Sequence, residues 1–435
     1  MANTYLTRTP SSTGNRKKWT YSAWIKNTSG SNYERLYESD GDNEYFRFND
    51  TKKLFFRTNN GSNGGFTTAR VFRDTNAWYH IVLRVDTTLG TAGDRIRLYV
   101  NGVEETVFDT ETQVAQNYDT YSNYATKVIK IGSSNFDGCM SHIHFADGSS
   151  LAPTVFGSVD SVTGEWKINT APSFTPGTNG FTILKDGNTI TDQSANSNNF
   201  SLGAGTLTNT KDCPSNVLAT LNTLERLRSN ITISNGNTQF FNQASDWGVM
   251  ISNLAFPNTG KFYAEMQVNE VSSAVQAGIM AQLSFNTAYQ SDLGTQGAYN
   301  SYAYLNTGQK RTNGSATNYG NSFSGGVIGI AVDMDNKNIY FSKDGTYQNS
   351  GNPASGSTGT GAAFTDLQND KDYCFAVASQ GSNPKVSWNF GNGFFGTTAI
   401  TTNSGNGYAG AEGASKFNYQ PPSGYSALST KGLNQ

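Results

Sequence analysis

Trp78-Tyr79-His80-Ile81-Val82-Leu83-Arg84-Val85-Asp86 and, close behind it, Arg95-Ile96-Arg97-Leu98-Tyr99-Val100-Asn101-Gly102 decide the fold. Ile81, Leu83 and Val85 fall on one side of an extended chain, and so do Ile96, Leu98 and Val100, with Arg97 opposite. Side chains alternate along a strand, so this period of two buries one sheet face and leaves the other polar, as in antiparallel sheets. Asn101-Gly102 then supplies the positive-φ pair that a two-residue hairpin turn demands. The same alternation extends outward through residues 19–25, 128–131 and 139–145.

A second strand-rich block carries Phe262 to Val268, Val327 to Asp333, Ile339 to Ser342, Tyr373 to Ser379 and Val386 to Phe390. Regularly spaced short strands separated by turn residues predict a sandwich. The expected fold is therefore all-β, with two antiparallel β-sandwiches joined by an irregular connector. The segments are 1–148 for the first domain, 149–229 for a connector partly packed on it, 230–395 for the second, and 396–435 for a tail. Within the connector, Leu218, Leu221, Leu224 and Leu227 have the spacing of one short helix. The tail is rich in Gly, Asn and Ser and carries Pro421-Pro422, which predicts disorder or order only against a partner.

Composition agrees with turns and strands. Across 435 residues there are 46 Gly, 26 Phe and 22 Tyr, with an apolar fraction of 36%. A formal net charge of −2 and 15% charged residues give no electrostatic case for nucleic acid or an anionic membrane. No stretch approaches the ~20 apolar residues of a spanning helix. Arg8, Arg16, Lys17, Lys18 and Lys26 fall in the first thirty residues without an apolar core, so no secretory leader is expected. Cys139, Cys213 and Cys374 are too few and too far apart for a disulfide framework.

Three stretches resemble known families. Trp78 to Arg84, then Leu98-Tyr99-Val100-Asn101-Gly102 and Phe136-Asp137-Gly138, are similar to a laminin-G or concanavalin-A-like lectin domain, which implies a jelly-roll sandwich. Gly260-Lys261-Phe262-Tyr263, residues 325–333, Ile339 to Gly345 and Asn389-Phe390-Gly391 resemble a SPRY domain. Tyr5 to Arg16, Asp147-Gly148, Phe156-Gly157, Trp166, Asn198-Asn199-Phe200 and Pro421-Pro422-Ser423-Gly424-Tyr425 together resemble structural proteins of tailed bacteriophages, marine ones especially. That last resemblance implies a virion component assembled in the host cytoplasm, such as a tail fibre or capsid fibre. Its expected partners are other virion proteins, further copies of itself as a homo-oligomer through open sheet edges, and a host-surface glycan or receptor. An architectural tail adaptor or capsid decoration protein is the alternative, and a polysaccharide depolymerase a remote one.

Candidate chemistry is sparse. A sandwich glycosidase needs two facing carboxyls, and retaining sandwich glucanases carry them as Glu-x-Asp-x-x-Glu. In Glu104-Glu105-Thr106-Val107-Phe108-Asp109-Thr110-Glu111, Val107 stands where the first Glu belongs, so a solvated hairpin edge is expected and no catalytic residue is assigned. His80 points away from the Ile81 face, and His142 and His144 leave the strand on one side, which reads as surface or interface histidines without enough ligands for a transition metal. No cofactor is expected apart from calcium, the usual ion of laminin-G-like domains, for which Asp86, Asp137 and Asp147 at strand ends are the candidate ligands. Two Tyr-rich stretches, with Tyr118, Tyr121 and Tyr124 in one and Tyr299, Tyr302, Tyr304 and Tyr319 in the other, have the composition of a recognition surface. Packing inside the sandwich is the competing reading for the second set.

Overall fold

Asn101 and Gly102 adopt φ of 48° and 79° and turn the Ile96–Val100 strand back into Val103–Glu104. The computed structural model describes residues 4–28, 33–59, 64–185, 189–224, 230–282, 292–295, 297–298, 300–381, 383–401 and 407–434. The chain divides into two units, Met1–Asn209 and Thr210–Gln435.

Among the described residues, the first unit is built on two antiparallel sheets. One runs, in spatial order, Phe108–Thr112, Gly64–Thr68, Leu54–Thr58, Glu44–Phe48, Glu34–Ser39, Ile129–Ile131, Tyr5–Arg8 and Ser201–Ala204. The other runs Phe181–Ile183, Gly138–Asp147, Lys18–Asn27, Tyr79–Asp86, Ile96–Val100 and Val103–Glu104. Their facing sides bury Trp19, Tyr21, Tyr37, Phe46, Phe56, Ile81, Leu83 and Phe145 in one core. Trp19 lies at its centre, stacked on Phe145 at 5.6 Å and edge-on to Phe56, its indole N–H donating to Thr120 Oγ1 at 2.9 Å.

The expected connector is divided between the units. Residues 181–183 and 201–204 add an edge strand to each sheet, and the Gly157–Val159 and Trp166–Ile168 hairpin lies over the outer face of the six-stranded sheet. Gly102 carries this cover: a Cβ there would meet the Trp166 ring at 2.4 Å. Leu218 and Leu221 belong to the second unit, where they bridge Ser429 and Ser252 and are fully buried. They form no helix turn, because bridging partners from distant segments hold them extended. Leu224 is exposed, and Leu227 lies outside the described residues.

The second unit repeats the two-sheet plan. One sheet runs Ile231–Ser234, Gln239–Asn242, Lys385–Asn389, Lys261–Glu270, Gly326–Asp333, Asn338–Lys343 and Thr346–Tyr347; the other runs Gly248–Ala255, Tyr373–Gln380, Ala274–Ala281, Ser301–Leu305, Gln309–Thr312 and Ser315–Asn318. Trp388, Phe375, Phe341, Tyr302 and Tyr304 fill the space between them. The described part of the 396–435 segment departs from the expected tail. Ser426–Ala427 pairs in parallel with Phe262 and Tyr263, on the edge that Lys385–Asn389 leaves open beyond Glu265. Phe417, Tyr425 and Ala427 pack on Tyr263, Ala331, Tyr340 and Leu218. Aromatic burial outweighs the disorder that a Gly/Asn/Ser composition favours.

Candidate functional site

The three histidines are buried, not on the surface. His80 does leave the Ile81 face, but the later hairpin covers the side it reaches. Its ring stacks between Trp24 at 5.0 Å and Trp166 at 5.8 Å. The Trp166 indole N–H donates to Nδ1 at 3.0 Å, so the neutral ring carries its proton on Nε2 and donates to Ser22 Oγ at 2.9 Å. His144 stacks on Phe156 and meets Thr182 Oγ1 at 3.0 Å through Nδ1. Burial holds both imidazoles down at about 3. A register shift between Ser141 and His144 breaks the strict alternation, and His142 sits at φ 49° with Ser141 Oγ 2.7 Å from its Nδ1. Sequence periodicity does not register such a bulge. Among the described residues, no group of three or more His, Cys, Asp or Glu could hold a metal ion.

The candidate calcium ligands are not brought together. Asp86 pairs with Lys18 Nζ at 2.9 Å and accepts from Thr88. Asp147 accepts the amides of Asn15 at 2.7 Å and Asn179 at 2.9 Å. Both lie beside the start of the Lys18–Asn27 strand, whereas Asp137 lies at its far end, where its carbonyl receives the Thr28 amide. Ten residues of strand span about 30 Å, so Asp137 cannot share an ion with the other two.

Each acid of the 104–111 stretch has its own partner. Glu104 meets Arg97, Glu105 meets Arg70 Nε at 2.6 Å, Asp109 pairs with Lys53, and Glu111 accepts from Gln113 at 2.7 Å. Phe108–Thr112 is an outer strand of its sheet with four exposed residues, which is the solvated edge expected.

The tyrosines divide. Tyr302 and Tyr304 are fully buried, their hydroxyls donating to the carbonyls of Asp366 (2.9 Å) and Asn321. Tyr319 is buried against Tyr304 and Phe341. Period-two spacing turned this set inward, and loop carbonyls satisfy its polar tips, so it offers no recognition surface; Tyr289 and Tyr299 lie outside the described residues. Tyr118 packs against the first core, and Tyr121 donates to Asn59 Oδ1 at 3.3 Å. Tyr124 alone of these is exposed, with the Arg16 guanidinium 4.1 Å over its ring.

Two buried glutamates, unmarked in the sequence, hold distant segments. Glu44 accepts the successive amides of Tyr121 at 3.0 Å and Ser122 at 2.9 Å, one on each oxygen, together with the hydroxyls of Ser122 and Thr58. Glu265 accepts the successive amides of Asn418 at 2.8 Å and Tyr419 at 2.7 Å, again one on each oxygen, together with Asn389 Nδ2 at 3.0 Å. Burial raises both carboxyls against these hydrogen bonds, Glu265 to about 7.

The solvent side of the eight-stranded sheet carries the most distinctive constellation. Arg35 stands directly opposite Arg47, and Arg47 opposite Phe55; one row along, Lys130, Glu38, Tyr45 and Arg57 follow in cross-strand order. The guanidinium carbons of Arg35, Arg47 and Arg57 lie 4.3, 4.8 and 4.6 Å from the centre of the Tyr45 ring. Arg47 also lies 4.3 Å over Tyr33 and 4.9 Å over Phe55. Arg35 has carboxylate partners in Glu38 and Asp42, and Lys130 has Glu38. Arg47 has none among the described residues, and burial, with Arg35 and Arg57 alongside, pulls its guanidinium below the usual value. The signal was present in Tyr45-Phe46-Arg47 and Phe55-Phe56-Arg57, where an apolar residue for the core separates an aromatic and an arginine on the outer face.

Comparison with known proteins follows the two units. Residues 2–155 match the concanavalin A-like lectin/glucanases superfamily, and residues 261–393 match the SPRY domain. No curated protein matches the chain. Similar solved structures include the SPRY domain of human HERC1, at 17% identity, covering 39% of this chain and 96% of that one with a TM-score of 0.30. The TRIM65 PSpry domain has 15% identity, coverage of 39% and 91%, and a TM-score of 0.29. Stonustoxin has 15% identity, covering 59% of this chain and 34% of its own, with a TM-score of 0.30. Both matched families are generally non-catalytic binding modules. The chain is an all-β protein carrying a laminin-G-like, concanavalin A-like domain followed by a SPRY domain.

Proposed function

We propose that this chain is a non-catalytic ligand-binding component of a bacteriophage particle, a tail fibre or capsid fibre protein that presents its first unit to the host surface. The observation that carries the binding role is the Arg47 guanidinium, which lies against Tyr33 and Tyr45 with no carboxylate partner among the described residues. Two domains of binding-module families in series support it. The particle assignment rests on the resemblance of residues 5–16, Asn198-Asn199-Phe200 and residues 421–425 to phage structural proteins. Copies would assemble through exposed outer strands such as Phe108–Thr112.

The test is adsorption. Purified chain should bind host cells and block infection in a dose-dependent way, and it should be found in purified particles. Particles lacking it that adsorb normally but break easily would replace this reading with the architectural one. Release of reducing ends from host glycan, abolished by Asp109→Ala or Glu111→Ala, would replace it with a depolymerase.

A further inference from the structure

We infer that residues 152–174 form an acid-released cover: protonation of His80 and His144 lifts this segment off the outer face of the six-stranded sheet and bares the aromatic surface beneath. The inference rests on neither the binding role nor the particle assignment.

The first argument is how little else holds the segment. Gly157–Val159 and Trp166–Ile168 pair only with each other. Among the described residues, the segment makes no backbone hydrogen bond to either sheet; the amides of Phe156, Asp160, Gly164 and Asn169 all bond within it. Its tip stands clear of the sheet, with Val162 91% exposed. Among the described residues, its one side-chain hydrogen bond to the sheets runs from the Trp166 indole N–H to His80 Nδ1. Its three aromatic anchors all rest on the two imidazoles. Trp166 stacks on His80, Phe156 stacks on His144, and Phe174 meets His144 edge-on at 5.7 Å. Apolar contact of Phe156 and Phe174 with Val82 and Tyr99 completes the seat.

The second argument is what a proton does there. Nε2 of His80 already carries its proton toward Ser22 Oγ, so an added proton goes to Nδ1. An Nδ1–H would then face the Trp166 N–H, donor against donor. The two residues are 0% and 2% exposed, and a buried cation without a counter-charge is costly. Among the described residues no carboxylate acts on either ring; the groups acting on His144 are His142, His80 and Lys185, all cationic when charged. On the strands alongside, Lys26 and Arg84 share this face by alternation. The carboxylates at its rim are engaged elsewhere: Asp86 by Lys18, Glu104 by Arg97, Asp160 by Lys167 and Asp192 by the Thr182 amide. Glu165, beside Trp166, is exposed. Stacking on indole faces gives an imidazolium a modest attraction, which replaces neither the lost hydrogen bond nor the lost hydration. Uncovered, the rings regain water and titrate at their ordinary value of ~6.5. Opening is therefore favoured as pH falls below ~6.5, with its full effect near 3.

The test is hydrogen exchange of the full chain, read by mass spectrometry at about pH 7.5 and about pH 4.5 and corrected for the intrinsic pH dependence of amide exchange. An isolated two-stranded hairpin is marginal in water, so its amides exchange once the cover lifts. At about pH 4.5 the open form gains about a hundredfold for each histidine that returns to its ordinary value. Peptides from residues 155–170 should therefore open about tenfold or more above their level at about pH 7.5, while Lys18–Asn27 and Tyr79–Asp86 stay protected. The double variant His80→Gln, His144→Gln, which cannot take up these protons, should abolish the ratio; if it does not fold, His144→Gln alone should reduce it. A ratio below about twofold in wild type, equal loss of protection in cover and sheet, or an unchanged ratio in the folded variant would each overturn the inference.

Discussion

Glu44 in the first unit and Glu265 in the second do the same thing with different materials. Each is fully buried, and each catches two successive backbone amides on its two oxygens, one amide per oxygen. In the first unit the captured amides lie in the Tyr-rich loop and hydroxyls complete the shell. In the second they come from the C-terminal segment, and the amide of Asn389 completes it. A buried carboxylate without a cation is costly unless donors surround it, so both sandwiches depend on a remote segment arriving to make an interior acid tolerable. The difference lies in reach. Glu44 holds a loop 77 residues away, and Glu265 a segment 153 residues away.

Removing these anchors is the strongest way to break the parallel. Glu265→Ala leaves the Asn418 and Tyr419 amides and the Asn389 side chain without their acceptor, an expected loss of about 3–5 kcal/mol in the second unit. Denaturant unfolding should show it, and limited proteolysis should cut first near residues 408–425. Glu44→Ala should cost somewhat less, about 2–4 kcal/mol, since the Ser122 and Thr58 hydroxyls can turn to each other or to water. Losses under about 1 kcal/mol for both would mean that the captured segments are held by their apolar contacts alone.

Acidity should separate Glu265 from the buried histidines. Glu265 titrates at about 7 in the fold, above the ordinary glutamate value. Its contribution is full below pH ~4.5 and is lost as pH rises through about 7. His80 and His144 are held at about 3, below the ordinary ~6.5. Their contribution is full above pH ~6.5 and is lost as pH falls toward 3. Between these limits the Glu265 and histidine contributions slope in opposite directions. Comparing wild type with Glu265→Gln and with His80→Gln, each melted across pH 4 to 8, isolates the two; slopes of one sign would contradict the burial assigned to these groups. A smaller effect is expected from Tyr302→Phe, about 1 kcal/mol for the bond to the Asp366 carbonyl. Tyr124→Phe, at an exposed site, should stay within about 0.5 kcal/mol.

The strands were legible because alternation and turn chemistry are local. Ile81, Leu83 and Val85 face the core as read, and Asn101-Gly102 turns as read. What the sequence hid is whatever depends on a partner far along the chain. Periodicity puts His80 on the correct side of its strand, but the cover that buries it there is supplied by Trp166, 86 residues away. Glu44 and Glu265 look like ordinary polar positions in strands; only the folded chain brings amides to them. For the same reason the packing of Phe417, Tyr425 and Ala427 on the second unit is not visible in a composition that favours a disordered tail. The arginine cluster lies between: its pattern is periodic and local, but the three guanidiniums gathered on Tyr45 become visible only when the strands are aligned.

The C-terminal edge strand bears on biosynthesis. The Asn418 amide leaves the ribosome 153 residues after Glu265, and Ser426–Ala427 follows it. At about 5–20 residues per second, the Lys261–Glu270 strand is exposed for roughly 8–30 seconds before its companion exists. Throughout that interval Phe262 and Tyr263 present an open backbone edge, so nascent chains on crowded polysomes are the population in which this protein is most vulnerable to joining a neighbour instead of itself.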